Sequence, residues 1–169
     1  VFKLSLSKGH WFQQLLHRFE GKKAGDGAWP STGLIMDTGG SLYGTTFLGG
    51  SANQGVAFKL TPPIGGSGSW TETILHTFAG GVSDGVLPSS GLIFGSNGAL
   101  YGTTLGGGVE VNGGNGTVFS LNPPAAGKTV WTETVLYRFQ GGSDGRYPDA
   151  TLIPDQSGAL YGVTQLGGN

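Results

Sequence analysis

Two histidines occupy the same position of a recurring motif, and their side chains are the ones in this chain best suited to hold a metal. His17 lies in WFQQLLHRF and His76 in WTETILHTF, whereas Tyr137 takes this position in WTETVLYRF. If the strand that contains them lined a central axis, the imidazoles could bind Zn²⁺ and activate a water molecule. The simpler interpretation is packing between repeats, with each imidazole satisfied by one hydrogen bond.

Three aspartates recur in the Asp-Gly pairs that precede loop prolines, namely Asp26, Asp84 and Asp144. Such a pair is typical of a turn, in which the carboxylate accepts hydrogen bonds from the nearby backbone and glycine adopts positive φ. Recurrence in every repeat favours this interpretation, because active sites usually break symmetry. The alternative is a ring of carboxylates around an axis, which could hold Ca²⁺ or sugar hydroxyls.

Large apolar side chains directly precede the same prolines, as Trp29 and Tyr147, with Leu87 at the equivalent position between them. They are either packed loop residues or a platform for the face of a sugar ring. The polar residues that would supply hydrogen bonds to such a sugar are Asn53, Asn115, Arg146 and Asp149.

A catalytic nucleophile is not evident. GVSDG (81–85) and GGSDG (141–145) match the Gly-x-Ser-x-Gly pattern of serine hydrolases. That chemistry needs a strand–turn–helix and a partnered histidine, and the sequence predicts neither. The catalytic residues, if the protein is an enzyme, therefore stay unknown at this level.

The elements that must position these residues repeat three times. Trp11, Trp70 and Trp131 open the tryptophan strands at a spacing of about sixty residues. A second motif contains LYGTT, LYGTT and LYGVT after a short turn, and a third reads VFKL, AFKL and VFSL. The runs are rich in β-branched and aromatic residues and are bounded by Gly, Pro, Asn and Asp, so each unit predicts four short strands and no helix.

Composition narrows the classes of function. The chain has 169 residues, of which 35 are glycine and 11% are charged, with a formal net charge of −1 and no cysteine. This excludes a disulfide framework and offers no basic patch for nucleic acid. No apolar run is long enough to span a bilayer. We expect one domain over residues 1–169, with repeats at approximately 1–56, 57–117 and 118–169.

The order W-x-E-x-x-L-x-x-F, D-G-x-x-P, L-Y-G-T-T and G-T-V-F-x-L-x-P-P resembles the GloVer-type tandem repeats over nearly the whole chain. That resemblance implies a β-propeller architecture in bacterial proteins thought to be exported and surface-anchored, and it implies no agreed activity. LYGTT is also similar to the L-W-x-G-T element of regulator-type propellers. By that likeness the LI strand is innermost, LYGTT second, VFxL third and the tryptophan strand outermost. The first repeat departs most, with FQQ (12–14) in place of Thr-Glu-Thr and Gly25 in place of serine.

Three blades, one of them split between the two termini, are too few to close a ring. We therefore expect a homodimer that closes a six-bladed propeller by exchange of terminal strands, or a piece of a longer array. The first hypothesis for function is recognition of a carbohydrate or another small polar ligand on the loop face, outside the cell or at its surface. The alternatives are a metal-dependent lactonase-like or phosphotriesterase-like hydrolase, and a structural fragment of a surface array.

Overall fold

The computed structural model describes residues 1–21, 25–108 and 113–168. In these residues the chain is all-β, as the sequence predicts, apart from two 3₁₀ turns at Ile64–Gly66 and Gly142–Asp144. Neither turn is long or apolar enough to cross a membrane. In chain order the described strands are β1 (Phe2–Ser7), β2 (His10–Leu15), β3 (Gly27–Ala28), β4 (Ile35–Met36), β5 (Leu42–Thr46), β6 (Leu48–Gly49), β7 (Val56–Thr61), β8 (Thr71–Thr77), β9 (Gly85–Pro88), β10 (Ile93–Phe94), β11 (Leu100–Gly107), β12 (Thr117–Asn122), β13 (Thr132–Arg138), β14 (Arg146–Pro148), β15 (Ile153–Pro154), β16 (Leu160–Tyr161) and β17 (Thr164–Leu166).

The strands form successive antiparallel sheets that follow the sequence repeat. The first full sheet has the order β4–β5–β7–β8, and the second full sheet has the order β10–β11–β12–β13, with β9 also paired to β11. Strands β1 and β2 form a separate N-terminal hairpin, and the C-terminal strands pair as β15–β16 and β14–β17. Within each full sheet the order LI, LYGTT, VFxL and tryptophan strand is the one predicted from the sequence, so the tryptophan strand is an edge strand.

The glycine of each LYGTT strand lies under an aromatic ring of the paired strand. A Cβ atom at Gly44 would lie 2.9 Å from Phe58 Cζ, and one at Gly102 would lie 2.7 Å from Phe119 Cζ. Such separations are too short for two carbon atoms in a close-packed interior. Glycine is therefore required at this position of the pentapeptide, because any side chain would displace the phenylalanine ring that crosses it.

The two hydrophobic cores lie between consecutive sheets. One joins the N-terminal hairpin region to the first full sheet, where the rings of Phe19 and Phe58 meet edge to face with centroids 5.0 Å apart. The other joins the two full sheets, where Phe78 and Phe119 meet in the same way at 5.1 Å. Such pairs add to the free energy gained from burial. Each interface between sheets is thus built from the same ring pair at equivalent repeat positions.

Candidate metal centres

A β-bulge in β8 and in β13 sends the glutamate and the residue at the histidine position to opposite faces of the sheet. In β8 the register against β7 shifts between Ala57 and Phe58, which leaves Leu75 as an extra residue. Residues four apart in a regular strand share a face, but the extra residue reverses His76 relative to Glu72. Strand β13 has the same shift against β12. Each full sheet therefore presents a glutamate to the preceding sheet and its residue at the histidine position to the following one.

The first cluster consists of His17, Asp26 and Glu72. The Nε2 atom of His17 lies 3.6 Å from Asp26 Oδ2 and 3.6 Å from Glu72 Oε1. One ligand atom from each residue lies within 4.8 Å of the other two. His17 follows the hairpin, Asp26 precedes β3 and Glu72 lies on β8, so three separate elements supply the cluster.

The second cluster consists of His76, Asp84 and Glu133, at the equivalent positions of the next repeat. His76 Nε2 lies 3.1 Å from Asp84 Oδ1, and all three ligand atoms again lie within 4.8 Å of one another. The side chains of His76 and Asp84 are 20% and 14% exposed. The cluster therefore borders solvent, and an ion can reach it without unfolding of the sheets.

The aspartates are oriented by the turns that the sequence predicts. Asp26 Oδ2 accepts a hydrogen bond from the backbone N–H of Glu20, and Asp84 Oδ2 accepts one from Ala79, both at 2.8 Å. The N–H of the glycine after each aspartate donates to the other carboxylate oxygen. Backbone donors thereby orient each carboxylate beside its imidazole, and Asp84 Oδ1 is also bonded to His76 Nε2.

Three side-chain atoms of these clusters are buried and have no hydrogen-bond partner among the described residues. They are His17 Nε2, Glu72 Oε1 and Glu133 Oε1. Buried polar atoms are nearly always bonded, because an unpaired one loses its hydration without compensation. The separations of 3.6 Å around His17 are too long for hydrogen bonds. Each cluster therefore contains at least one buried nitrogen or oxygen atom without a hydrogen bond, and a bound cation would supply the missing interaction.

The glutamates bind protons unusually tightly. Burial, followed by the negative charge of Asp26, raises the pKa of Glu72 to about 8. Burial, followed by the charge of Asp84, raises the pKa of Glu133 to about 7. A cation that needs the ionised carboxylate would displace this proton, so its binding would strengthen as the pH rises.

The third repeat has a different arrangement at this place. Tyr137 replaces the histidine, and its hydroxyl donates to Asp144 Oδ1 at 2.5 Å. This bond, together with one from the Gln140 N–H, lowers the pKa of Asp144. The residue equivalent to Glu72 is Gln13, which lies exposed on β2 of the N-terminal hairpin. In the third repeat the aspartate is thus already bonded to the tyrosine hydroxyl, and the residues at the histidine and glutamate positions are weaker metal ligands.

The sequence found only part of each centre. His17 and His76 were candidates as metal ligands, and each is joined by its predicted aspartate, but each histidine belongs to a separate cluster. Glu72 and Glu133 were missed because the bulge that turns them toward the preceding sheet is not readable in the strand pattern. The available signal was an offset of one repeat, since Glu72 follows one repeat after His17 and Glu133 follows one repeat after His76.

Of the predicted loop residues, only the aspartates belong to the two clusters, and Trp29 lines a cleft together with His17. Trp29, Leu87 and Tyr147 have left-handed backbones, with φ of 57°, 57° and 60°, and Trp29 is 69% exposed. The Arg146 guanidinium lies 5.2 Å from the centroid of the Tyr147 ring. A groove of about 510 Å³ is lined by Leu87 and Tyr147 together with polar Gln54.

The two predicted asparagines serve the loops themselves. Asn53 Oδ1 accepts a hydrogen bond from the Gly49 N–H at 3.2 Å. The backbone carbonyl of Asn115 accepts one from the Tyr147 N–H at 2.7 Å, and the carbonyl of Gln54 accepts one from Leu87 at 2.8 Å. These bonds position the left-handed residues beside the groove.

Comparison with known proteins gives one match. A family model described as the Gloeobacter/Verrucomicrobia repeat matches residues 1–169. No curated protein and no solved structure matches the chain.

Proposed function

The chain belongs to the Gloeobacter/Verrucomicrobia repeat family, and we propose from the geometry of the two clusters that its repeats form a divalent-metal-binding module, with a cation held between each pair of consecutive sheets that offers a His/Asp/Glu set. The single observation behind this proposal is that the same three residue types, from three different elements, meet twice at equivalent places. Packing of the sheets does not require these clusters, since the Phe–Phe pairs already fill each interface.

The donor set favours zinc or a similar transition metal over calcium. One imidazole nitrogen and two carboxylate oxygens suit Zn²⁺, whereas Ca²⁺ takes six to eight oxygens. Two ligands about 2 Å from a tetrahedral zinc are separated by about 3.3 Å. The separations of 3.6, 3.6 and 3.1 Å in the two clusters are close to this value. Small side-chain shifts therefore suffice for coordination.

Because each cluster lies between two consecutive sheets, the main role that we propose for the metal is to link these sheets. In the first cluster the ligands come from the hairpin region and the first full sheet, and in the second they come from the two full sheets. A metal that binds only the folded arrangement stabilises it by mass action. Three protein ligands also leave a position for water, which keeps metal-assisted ester hydrolysis as an additional outcome to assay.

The test is a calorimetric titration of chelator-treated protein with Zn²⁺ and, separately, with Ca²⁺. We expect two zinc ions per chain, one after His17→Ala or His76→Ala, and none after both changes. His10→Ala is the matched control, since His10 is exposed on β2 and belongs to neither cluster. Absence of zinc binding, or binding that survives loss of both cluster histidines, would contradict the proposal.

A second candidate function is recognition of a small polar ligand, such as a carbohydrate, on the loop face. It is supported by the exposed Trp29 ring and by the groove beside Tyr147 and Gln54. Aromatic faces with adjacent amides are suited to sugar rings. Loss of glycan-array binding in Trp29→Ala and Tyr147→Ala, but not in His17→Ala, is the expected result; unchanged binding in the aromatic variants would contradict it.

A further inference from the structure

Among the described residues, the segment 160–164 has a free edge on the side where its equivalents in the first two repeats are paired. Strand β5 bonds β7 on this side, and β11 bonds β12, whereas the described partner of β16 is β15 on the other side. Beside this edge lies an apolar groove of about 700 Å³, lined among others by Leu136, Phe139 and Leu152. The third repeat is therefore missing the covering that the first two repeats have.

The N-terminal hairpin has an apolar face whose side chains are more than half exposed. The residues that share this face through the β1–β2 register are 52–67% exposed: Phe2, Leu4, Leu6, Trp11 and Leu15. In contrast, Phe58 and Leu60, the equivalents of Phe2 and Leu4, are 0% exposed. A two-stranded hairpin is marginally stable by itself, so this face needs a partner.

We propose that the N-terminal hairpin of a second copy of this chain docks on the third repeat, pairing β1 with the free edge of residues 160–164 and filling the groove. The β5–β7 register pairs Leu42 with Leu60 and Gly44 with Phe58. Transferred to the third repeat, it pairs Leu160 with Leu4 and places Phe2 over Gly162. This contact goes beyond the proposed metal binding and does not depend on it.

The ring pairs support this register. Phe19 meets Phe58, and Phe78 meets Phe119, across the two described interfaces. Phe139 is the next member of that series, and it lines the groove without an equivalent partner among the described residues. Phe2 of the second copy supplies the missing ring.

Charge complementarity gives independent support. In the first full sheet, Lys59 Nζ lies 3.9 Å from Asp37 Oδ2 and 5.3 Å from the centroid of the Tyr43 ring. In the second full sheet both charges are absent, since Gly95 and Ser120 take these positions.

In the third repeat the aspartate returns as Asp155, which accepts a hydrogen bond from Tyr161 Oη just as Asp37 does from Tyr43. The lysine at the matching position is Lys3, on the N-terminal hairpin. The two charged residues are thus present together or absent together, which fits a contact between Lys3 and Asp155.

Gln13, which lies on the same face of the hairpin as Phe2, is also consistent with this docking. Docking brings Gln13 of the second copy opposite Tyr137 and Asp144, where the other interfaces have a glutamate opposite histidine and aspartate. A glutamate there would face the Tyr–Asp pair, which docking buries, with no imidazole beside it, whereas a neutral amide can donate to the carboxylate. The change of His to Tyr and of Glu to Gln therefore falls on the same proposed interface.

Reciprocal exchange between two copies leaves no hairpin and no third repeat uncovered. Each copy then has two full sheets of its own and a third that is completed by the hairpin of the other. The dimer therefore contains six complete sheets, which is a closed propeller of ordinary size.

The first test compares Phe2→Ala with Phe12→Ala by light scattering over a dilution series. Both side chains are 58% exposed, but Phe12 lies on the opposite face of the hairpin. We expect the parent chain and Phe12→Ala to be dimers, and Phe2→Ala to weaken association by more than about a hundredfold. A monomeric parent chain, or equal effects of the two variants, would overturn the proposal.

A charge exchange tests the register itself. Lys3→Asp and Asp155→Lys each place like charges at both contacts of the reciprocal dimer, and each should weaken association roughly fivefold per contact. An equimolar mixture of the two variants restores opposite charges at both contacts, so it should form mixed dimers as tightly as the parent chain. Failure of the mixture to regain the parent affinity would show that these residues do not meet.

Discussion

The first two interfaces between sheets and the uncovered surface of the third repeat differ in three linked ways. The first two contain a His/Asp/Glu cluster, a buried Phe–Phe pair and a paired LYGTT edge. The third has Tyr137 bonded to Asp144, a Phe139 ring beside an open groove and a free strand edge. The comparison separates the residues that pack the repeats, which are the ring pair and the glycine, from the imidazole and glutamate that the proposed metal would use.

The largest expected effect contrasts a covered ring with an uncovered one. Phe119→Ala removes a fully buried ring and should lower the free energy of unfolding by about 3–5 kcal/mol. Phe2→Ala removes a ring that is 58% exposed, and in dilute solution, where copies are separate, it should cost less than about 0.5 kcal/mol. Urea unfolding followed by tryptophan fluorescence measures both. Equal losses would mean that Phe2 is already covered within its own chain.

A smaller effect should come from the metal. Zinc at about a hundredfold excess over its Kd should raise the free energy of unfolding by about 2.7 kcal/mol for each occupied site. Thermal unfolding of chelator-treated protein with and without zinc measures this gain. His17→Ala together with His76→Ala should remove it, and His10→Ala should keep it. A gain that persists in the double variant would place the metal elsewhere.

A further effect is a pH dependence of the metal-free chain, which arises from Glu72. The folded-state pKa of Glu72, about 8, is above its ordinary value of 4.5, so the folded state binds more protons between these limits. Stability from this group is therefore fully present below about pH 4.5 and is lost as the pH rises toward 8. Urea unfolding at a series of pH values should show this loss, and Glu72→Gln should reduce it. Zinc should oppose the loss, because it replaces the proton.

Much of the fold was predictable because it depends on short-range sequence signals. The strands and the Asp-Gly turns follow from periodicity, glycine placement and the recurrence of LYGTT, whereas their order in each sheet follows from the resemblance to regulator-type propellers. The structure confirms the strands, their order and the turns. The turn at Asp37 shows the same logic, since its carboxylate accepts hydrogen bonds from the N–H groups of Gly39 and Ser41.

The metal clusters were only half predictable because their geometry depends on a bulge. Glu72 and His76 are four residues apart, which in a regular strand places them on one face. The register shift in β8 separates them, so that each joins residues from a different neighbouring sheet. Propensity does not reveal where an extra residue will be inserted. The assembly and the loop-face ligand, which the sequence also suggested, stay predictions.

The most direct test of the account counts metal ions in the parent chain and in the variant Tyr137→His with Gln13→Glu. This variant rebuilds the His/Asp/Glu set at the third interface, with Asp144 as the aspartate and the glutamate donated by the second copy. Metal content measured across a light-scattering peak should rise from two zinc ions per chain to three, and only in the dimer. No zinc in the parent chain would contradict the metal centres, whereas two ions in both proteins would contradict the docking of the hairpin.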